Sequence, residues 1–473
     1  MNSKQFRRWK KLEQQKLLEA AVRNMRKHLS ADALIGIVRS SFENVPEPGN
    51  GKPQVSIADA LMSGFAVFSL KAPSLLTFEK AWKEEDSNLK TIFSIKNIPS
   101  DTQMRAKLDL IDPDLIRPAH NGIFNEIQRG KALEKMQYLE EGYILANDAT
   151  GYFSSEDIHS PFCLEKKLQN GKTIYHLSMQ QAALVHPDRR EVIPLIPEVI
   201  SRQDGDNKND CETNASKRLL TKLHAEHPHL QLVITGDGLY PNGPYVRFVQ
   251  GLGYHFILSA RETDHAHLFA QFDTAAEQNV AQTLSIQDAE DPQKHHFFRW
   301  VNGLEINASN PDIMVNILEY WEVCDETETS KRKKRKPVKP KPIKHFCWVT
   351  DISLSEQNVY RIMRAARAEW KIENETFNTL KNQGYHFEHN YGLGQQYLSM
   401  IFVSLMMLAF LADQTQQLCC ALFRAVWEKL GSKRSLWEHM RSLFHCFKLE
   451  SMEMLYRALV YGFVRNPPVI DTS

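Results

Sequence analysis

The stretch that most constrains this chain is Leu230-Gln-Leu-Val-Ile-Thr235, followed at once by Gly236-Asp237-Gly238. The apolar run reads as a buried strand, and the Gly-Asp-Gly that ends it has the composition of a turn. A charged helical pattern precedes it over 208–227, and a helix over 245–252 and a strand over 254–258 follow. Upstream, 142–146 is a short β-type run that ends at Asn147-Asp148-Ala149-Thr150-Gly151, read as a turn. Further strands are predicted over 152–154 and 175–185. Three strands, then strand and helix in alternation, make an α/β domain.

The flanks differ in texture. Residues 1 to about 140 carry apolar positions at helical spacing, broken by the Pro/Gly loop at 45–53, and Ser100 or Asp101 is placed to cap a helix. From about 260 to 345 the helix–strand alternation is lost. His295 to Ile306 reads as a β-hairpin turning at Asn302-Gly303, and 313–323 extends the β-structure. A strand over 346–350 and a helix over 355–380 return the chain to the sheet, and the remainder is helical.

With 42% hydrophobic and 24% charged residues, this is the composition of an ordinary globular protein. The net charge of +1 excludes a uniformly basic surface, so a nucleic-acid face must gather its charge locally. Two runs do so. Lys4, Arg7, Arg8, Lys10, Lys11, Lys16, Arg23, Arg26 and Lys27 crowd the N-terminus. Residues 330–344 hold nine lysines and arginines, among them Lys331, Arg332, Lys333, Lys334 and Arg335, and no acid. Prolines and like-charge repulsion make that second run an exposed loop. Seven scattered cysteines without a CxxC pair fit a reducing compartment and argue against a structural zinc site. The fifteen apolar residues 398–412 fall short of the roughly 20 that span a bilayer, so a buried core helix is expected and no membrane partner.

Asp148 and Asp237 follow two strands of one α/β sheet, and Glu373 sits on the late helix. Carboxylates at strand ends of such a sheet converge on one edge, where open α/β sheets place their sites. Three carboxylates without Cys or His at ligand spacing suit hard ions, Mg²⁺ or Mn²⁺, rather than zinc. Two such ions can clamp the attacking and leaving oxygens of a phosphodiester displacement. Glu375, two residues past Glu373, is the alternative third ligand. Trp300 in the insertion offers a face on which an unpaired base can stack.

Three stretches carry a resemblance: NDATGYFSSEDIHSPFCLEK at 147–166, LQLVITGDGLYPNGPYVRFVQGLGYHFIL at 230–258, and EWKIENETFNTLKNQGYHFEHNYGLG at 369–394. In that order they resemble the DDE-type transposases of bacterial insertion sequences, in the group with a β-rich insertion between the second Asp and the Glu. Blocks at 179–198 and 203–218 add to it, and together they cover roughly 100–463. The resemblance implies an RNase H-like mixed-sheet core in which Asp148, Asp237 and Glu373 are catalytic and hold, as a rule, two Mg²⁺ (or Mn²⁺) ions. In that group an Arg commonly stands four residues before the Glu and a Lys seven after. Here Glu369 occupies the first position, with Arg364 and Arg367 near, and Lys381 lies eight after. Arg367, Lys381, Asn382 and the run from Lys331 to Arg335 are therefore the expected DNA contacts.

The implied architecture is a helical, DNA-end-binding segment over 1–135, the first part of the core over 140–260 and a β-rich insertion over 261–345. The second part of the core follows over 346–395, and a helical C-terminal region over 396–473. The implied activity is metal-dependent DNA cleavage and strand transfer, by a dimer or larger assembly on double-stranded element ends and target DNA, in a cytoplasmic, nucleoid-associated setting. A metal-dependent nuclease of the same fold that does not join DNA, or a catalytically inactive DNA-binding descendant, is the alternative.

Overall fold

A computed structural model describes residues 13, 16–17, 19–20, 27–48, 53–82, 87–201, 211–324 and 344–462. The chain is mixed α/β. Among the described residues, the helices with defined bounds that come first are α1 (Ala31–Phe42), α2 (Ile57–Ser69), α3 (Leu75–Trp82), α4 (Ser87–Thr91), α5 (Asp101–Leu108) and α6 (Arg117–Arg129). Serine caps start three of them, each accepting a backbone N–H: Ser30 for α1, Ser56 for α2 and Ser100 for α5. At α5 Gln103 reaches back to the Ser100 N–H, completing a capping box.

One eleven-stranded sheet follows. Its first strands are β1 (Tyr143–Ser155), β2 (Leu164–Lys167), β3 (Thr173–Val185), β4 (Ile193–Pro194) and β5 (Glu198–Ile200). After α7 (Glu212–Glu226) come β6 (Leu232–Gly236), α8 (Gly243–Gly251) and β7 (His255–Ser259). The insertion holds α9 (Ala266–Glu277), β8 (Gln282–Gln287), β9 (Lys294–Glu305) and β10 (Met314–Cys324), and β11 (Lys344–Thr350) leads back. The order across the sheet is β2-β3-β1-β6-β7-β11-β10-β9-β8, with β4 and β5 also on β3. β3 runs antiparallel to β1, β6 and β7 run parallel to it, and the insertion strands continue antiparallel from β7. Every residue of β6 is buried, as its apolar run requires.

Asn147 to Gly151 is not a turn but the middle of β1, because antiparallel pairing to β3 continues to Ser155 after the parallel pairing to β6 has ended at Ala146. Asn302-Gly303 does not turn a hairpin; both lie within β9, and the chain reverses after Ile306 instead. The register slips between Val315 and Ile317, and Gly303 takes φ +75°, the left-handed glycine of a β-bulge. Asn302 explains why: its side chain donates to the Leu354 carbonyl (2.9 Å) and accepts from the Leu354 N–H (3.0 Å), fastening the bulge to the next loop. The insertion, expected to be β-rich, also opens with a helix, α9.

After β11 the chain forms α10 (Val359–Arg367), a π turn (Ile372–Phe377) and α11 (Asn378–Asn382) in place of one uniform helix. Four helices close the fold: α12 (Leu398–Cys419), α13 (Ala421–Leu430), α14 (Lys433–Cys446) and α15 (Met452–Tyr461). α12 has 22 residues, longer than its apolar run, and is long and apolar enough to cross a membrane, yet 89% of its most apolar window is buried inside the protein. It packs against α2 and α6, so the N-terminal helices share a core with the C-terminal ones. Buried residues from Leu29 to Leu459 form one continuous cluster, and no break in packing falls at residue 135.

Candidate active site

Parallel pairing of β1 with β6 matches Ala146 to Thr235 and then stops. Asp148 and Asp237 each lie two residues further on, so the register brings both acids to the point where β6 gives out. Side chains alternate along a strand, and Asn147 points to the opposite face. There it is wholly buried in a polar network: Asn147 Nδ2 donates to Ser216 Oγ (2.7 Å) on α7, while Gln180 Nε2 donates to Asn147 Oδ1 (2.8 Å) and to the Tyr240 hydroxyl (2.9 Å). That network ties β1, β3, α7 and the loop after Asp237 together. Within that loop Asp237 Oδ1 accepts the Leu239 N–H at 3.0 Å.

The π turn packs on β1 and β3 and brings Glu373 towards Asp148. Burial pushes the Asp148 carboxyl up to about 6 in spite of the Ala149 N–H it accepts, and the charges of Asp237, Glu212 and Glu373 add to the rise. Glu369, which the sequence reading set aside as a missing arginine, belongs to the same group. Burial raises it to about 7, with Asp148 and Asp237 contributing. Glu212, at the start of α7, is raised by burial and by Asp237. Five carboxylates thus share one field, and none of them has an ion-pair partner among the described residues. Glu369 was findable: four residues before Glu373 on a helix is the same face. Glu212 was not, because only tertiary packing brings α7 to this edge.

Glu375 points elsewhere, its charge acting on Lys371 and Lys433. Of the two glutamates, Glu373 is the one whose charge acts on Asp148. The donor set at the edge is all oxygen, carries a surplus of negative charge and is partly desolvated, which fits a hard divalent ion. The acids are not drawn to ligand spacing: among the described residues, the only three potential donors within 4.8 Å of one another are Glu319, His345 and Cys347, elsewhere on the sheet.

The expected DNA contacts are scattered. Trp300 is wholly buried on β9 and offers no face to a base, because inward positions of the insertion strands build its core. Among the described residues the exposed indole is Trp370, next to Glu369 in the chain. Arg367 turns away from the acids: it pairs with Glu322 at 3.3 Å, lies over Phe346 and lines a separate cleft of about 570 Å³ with Lys294, Lys344, Arg364 and Lys371. Lys381 pairs with Glu388 at 3.7 Å, and Asn382 is exposed at the end of α11. Residues Lys331, Arg332, Lys333, Lys334 and Arg335 lie outside the described residues, as does most of the N-terminal basic run.

The His- and Asn-rich segment after α11 is a fastening rather than a site. The Tyr391 hydroxyl donates to the Ala72 carbonyl (3.2 Å), Arg105 donates to the Tyr391 carbonyl (2.5 Å), and Asp109 accepts the N–H groups of Gln395, Gln396, Tyr397 and Leu398 at 2.7–3.0 Å. Asp109 thereby caps α12 from a distant helix, and those four donors hold its carboxyl below its usual range although burial opposes them. The chain matches no family model and no curated protein sequence.

Proposed function

We propose that this protein is a DDE-type transposase that cleaves insertion-sequence ends and joins them to target DNA. One observation carries the reading: Asp148, Asp237 and Glu373, far apart in sequence, share one electrostatic field where β1 outruns β6, and have no ion-pair partner among the described residues. The order of the first strands, with β3 antiparallel to β1 and then β6 and β7 parallel to it, is what an RNase H-like core would have. The π turn supports the family register. Its Asn378 N–H bonds five residues back to the Glu373 carbonyl, so it takes up one residue more than an α-turn. That accounts for Lys381 standing eight rather than seven residues after Glu373.

Asp148, Asp237 and Glu373 would hold divalent ions of the Mg²⁺ class, probed equally by Mn²⁺, which supply charge neutralisation for phosphoryl transfer when bound. The protein's own part is positioning. β1 and β6 fix two carboxylates by backbone register, the polar network around Asn147 stiffens both strands from behind, and the π turn sets the third. Hydrolysis at the element end breaks one P–O bond and frees a 3′-hydroxyl; that hydroxyl then displaces a target phosphodiester in line, one P–O bond forming as another breaks. Two ends need two such sites, so the active form is a dimer or larger assembly on DNA.

The test uses the full chain, Mg²⁺ and labelled DNA carrying the sequences that flank its gene. Joined products are expected. Cleavage without joining would reassign the protein as a nuclease, and neither product would leave a DNA-binding descendant.

A further inference from the structure

Away from the carboxylate edge, sheet pairing assembles a second set of donors. Glu319 on β10 stands directly across from Cys347 on β11, and His345 lies two residues before Cys347 on the same face. Glu319 Oε1 is 2.9 Å from His345 Nε2, and Cys347 Sγ is 3.9 Å from that nitrogen. Sequence spacing hides this set, since 26 residues separate the glutamate from the histidine. Donors held 2.0–2.3 Å from a shared ion stand roughly 3–4 Å apart, so small side-chain movements suffice here.

The surroundings hold each donor in place. Arg299, across from Glu319 on β9, donates to the other carboxylate oxygen through Nε (2.7 Å), which leaves Oε1 turned to the histidine. The Trp321 ring stacks on the His345 ring at 5.4 Å and 12°. Glu319 and Cys347 are buried and His345 is exposed, so the set opens to solvent on one side. Asp273 lies 3.9 Å from Arg299, and the charge of Glu262 reaches Cys347, so among the described residues acids stand around the site beside Arg299. A plain hydrogen-bonded Glu–His pair explains two of the three groups and leaves the thiol, aimed at the same nitrogen, without a role.

We propose that Glu319, His345 and Cys347 form a binding site for a divalent ion of the zinc class, with one position left to water. Mixed S, N and O donors select a borderline ion over Mg²⁺. As the ion binds, the Cys347 thiol loses its proton and the neutral His345 ring carries its remaining proton on Nδ1. One proton is released per ion, so affinity falls about tenfold for each pH unit of acidification. The site joins β10 to β11 and does not depend on the carboxylate edge.

The experiment is a titration of the full chain, reduced and stripped by chelator, with Co²⁺ and then Zn²⁺. Expected are a thiolate-to-cobalt charge-transfer band that saturates at one Co²⁺ per chain, apart from any Co²⁺ taken up without that band at the carboxylate edge, displacement by Zn²⁺, loss of the band in Cys347→Ser, and at least tenfold weaker binding in His345→Asn. Asp237→Asn should leave the band unchanged. Absence of the band, or a band that survives Cys347→Ser, would overturn the proposal. Should Cys347→Ser fail to fold, Zn²⁺ protection of Cys347 from alkylation, read by peptide mapping of the unmodified chain, decides in its place: unchanged alkylation is the negative result.

Discussion

Asp148 and Asp237 are placed by one shared register: each stands two residues past Ala146 and Thr235, the last matched pair of β1 and β6. A one-residue slip would turn Asp148 to the face held by Asn147 and empty the site. On the proposed reading, Asp237→Asn is expected to lower strand joining at least a thousandfold with the fold intact. Glu373→Gln should do the same while Glu375→Gln costs less than tenfold, since of the two it is the charge of Glu373 that acts on Asp148. Gel assay of labelled DNA checks all three; equal losses in the two glutamine variants would undo the assignment of Glu373.

The crowded acids predict a pH dependence. Asp148 at about 6 and Glu369 at about 7 both bind a proton more tightly folded than unfolded, where their values are 3.8 and 4.5. Burial of these charges, with their mutual repulsion added, therefore counts against the fold above pH 7 and is relieved as pH falls towards 4, worth on the order of 6 kcal/mol for the two together. In chelator, the parent protein should gain stability relative to Asp148→Asn/Glu369→Gln between pH 7 and 5, as read by thermal melts. Parallel melting curves across that range would contradict it.

Gly236 precedes Asp237, and a Cβ there would meet the Tyr240 ring at 2.7 Å. Tyr240 is buried and its hydroxyl accepts from Gln180, so the ring cannot yield freely. Gly236→Ala should cost ~1–3 kcal/mol and displace Asp237 with it. A melting temperature equal to that of the parent would mean the loop is looser than it looks.

Lys71 is wholly buried, paired with Asp413, and lies 4.0 Å over the Trp437 ring, while Tyr385 donates to Asp413 at 2.7 Å. Burial lowers the lysine and raises the aspartate. Lys71→Met strands a buried carboxylate and is expected to cost ~3–5 kcal/mol, whereas Lys71→Met/Asp413→Asn should cost less than the two single changes summed. Urea unfolding of the four proteins measures the coupling, and simple additivity would argue against the pair.

The apolar run of β6 and the capped helix start at Ser100 were legible in the sequence because they follow from local rules: burial pattern and capping chemistry. Asp148, Asp237 and Glu373 were legible as candidates by type and position. Other readings failed for a physical reason. Asn147 to Gly151 has turn composition, yet pairing with β3 draws it into β1. Asn302-Gly303 has hairpin composition, yet bonds from Asn302 to Leu354 make it a bulge. Trp300 looked like a stacking face until inward alternation on β9 buried it. By itself the chain determined its α/β class and offered Asp148, Asp237 and Glu373 as candidate acids by residue type. Only the tertiary structure added Glu212 to them, turned Arg367 away and set Glu319 against Cys347, because cross-strand register and helix docking depend on partners that no local window contains.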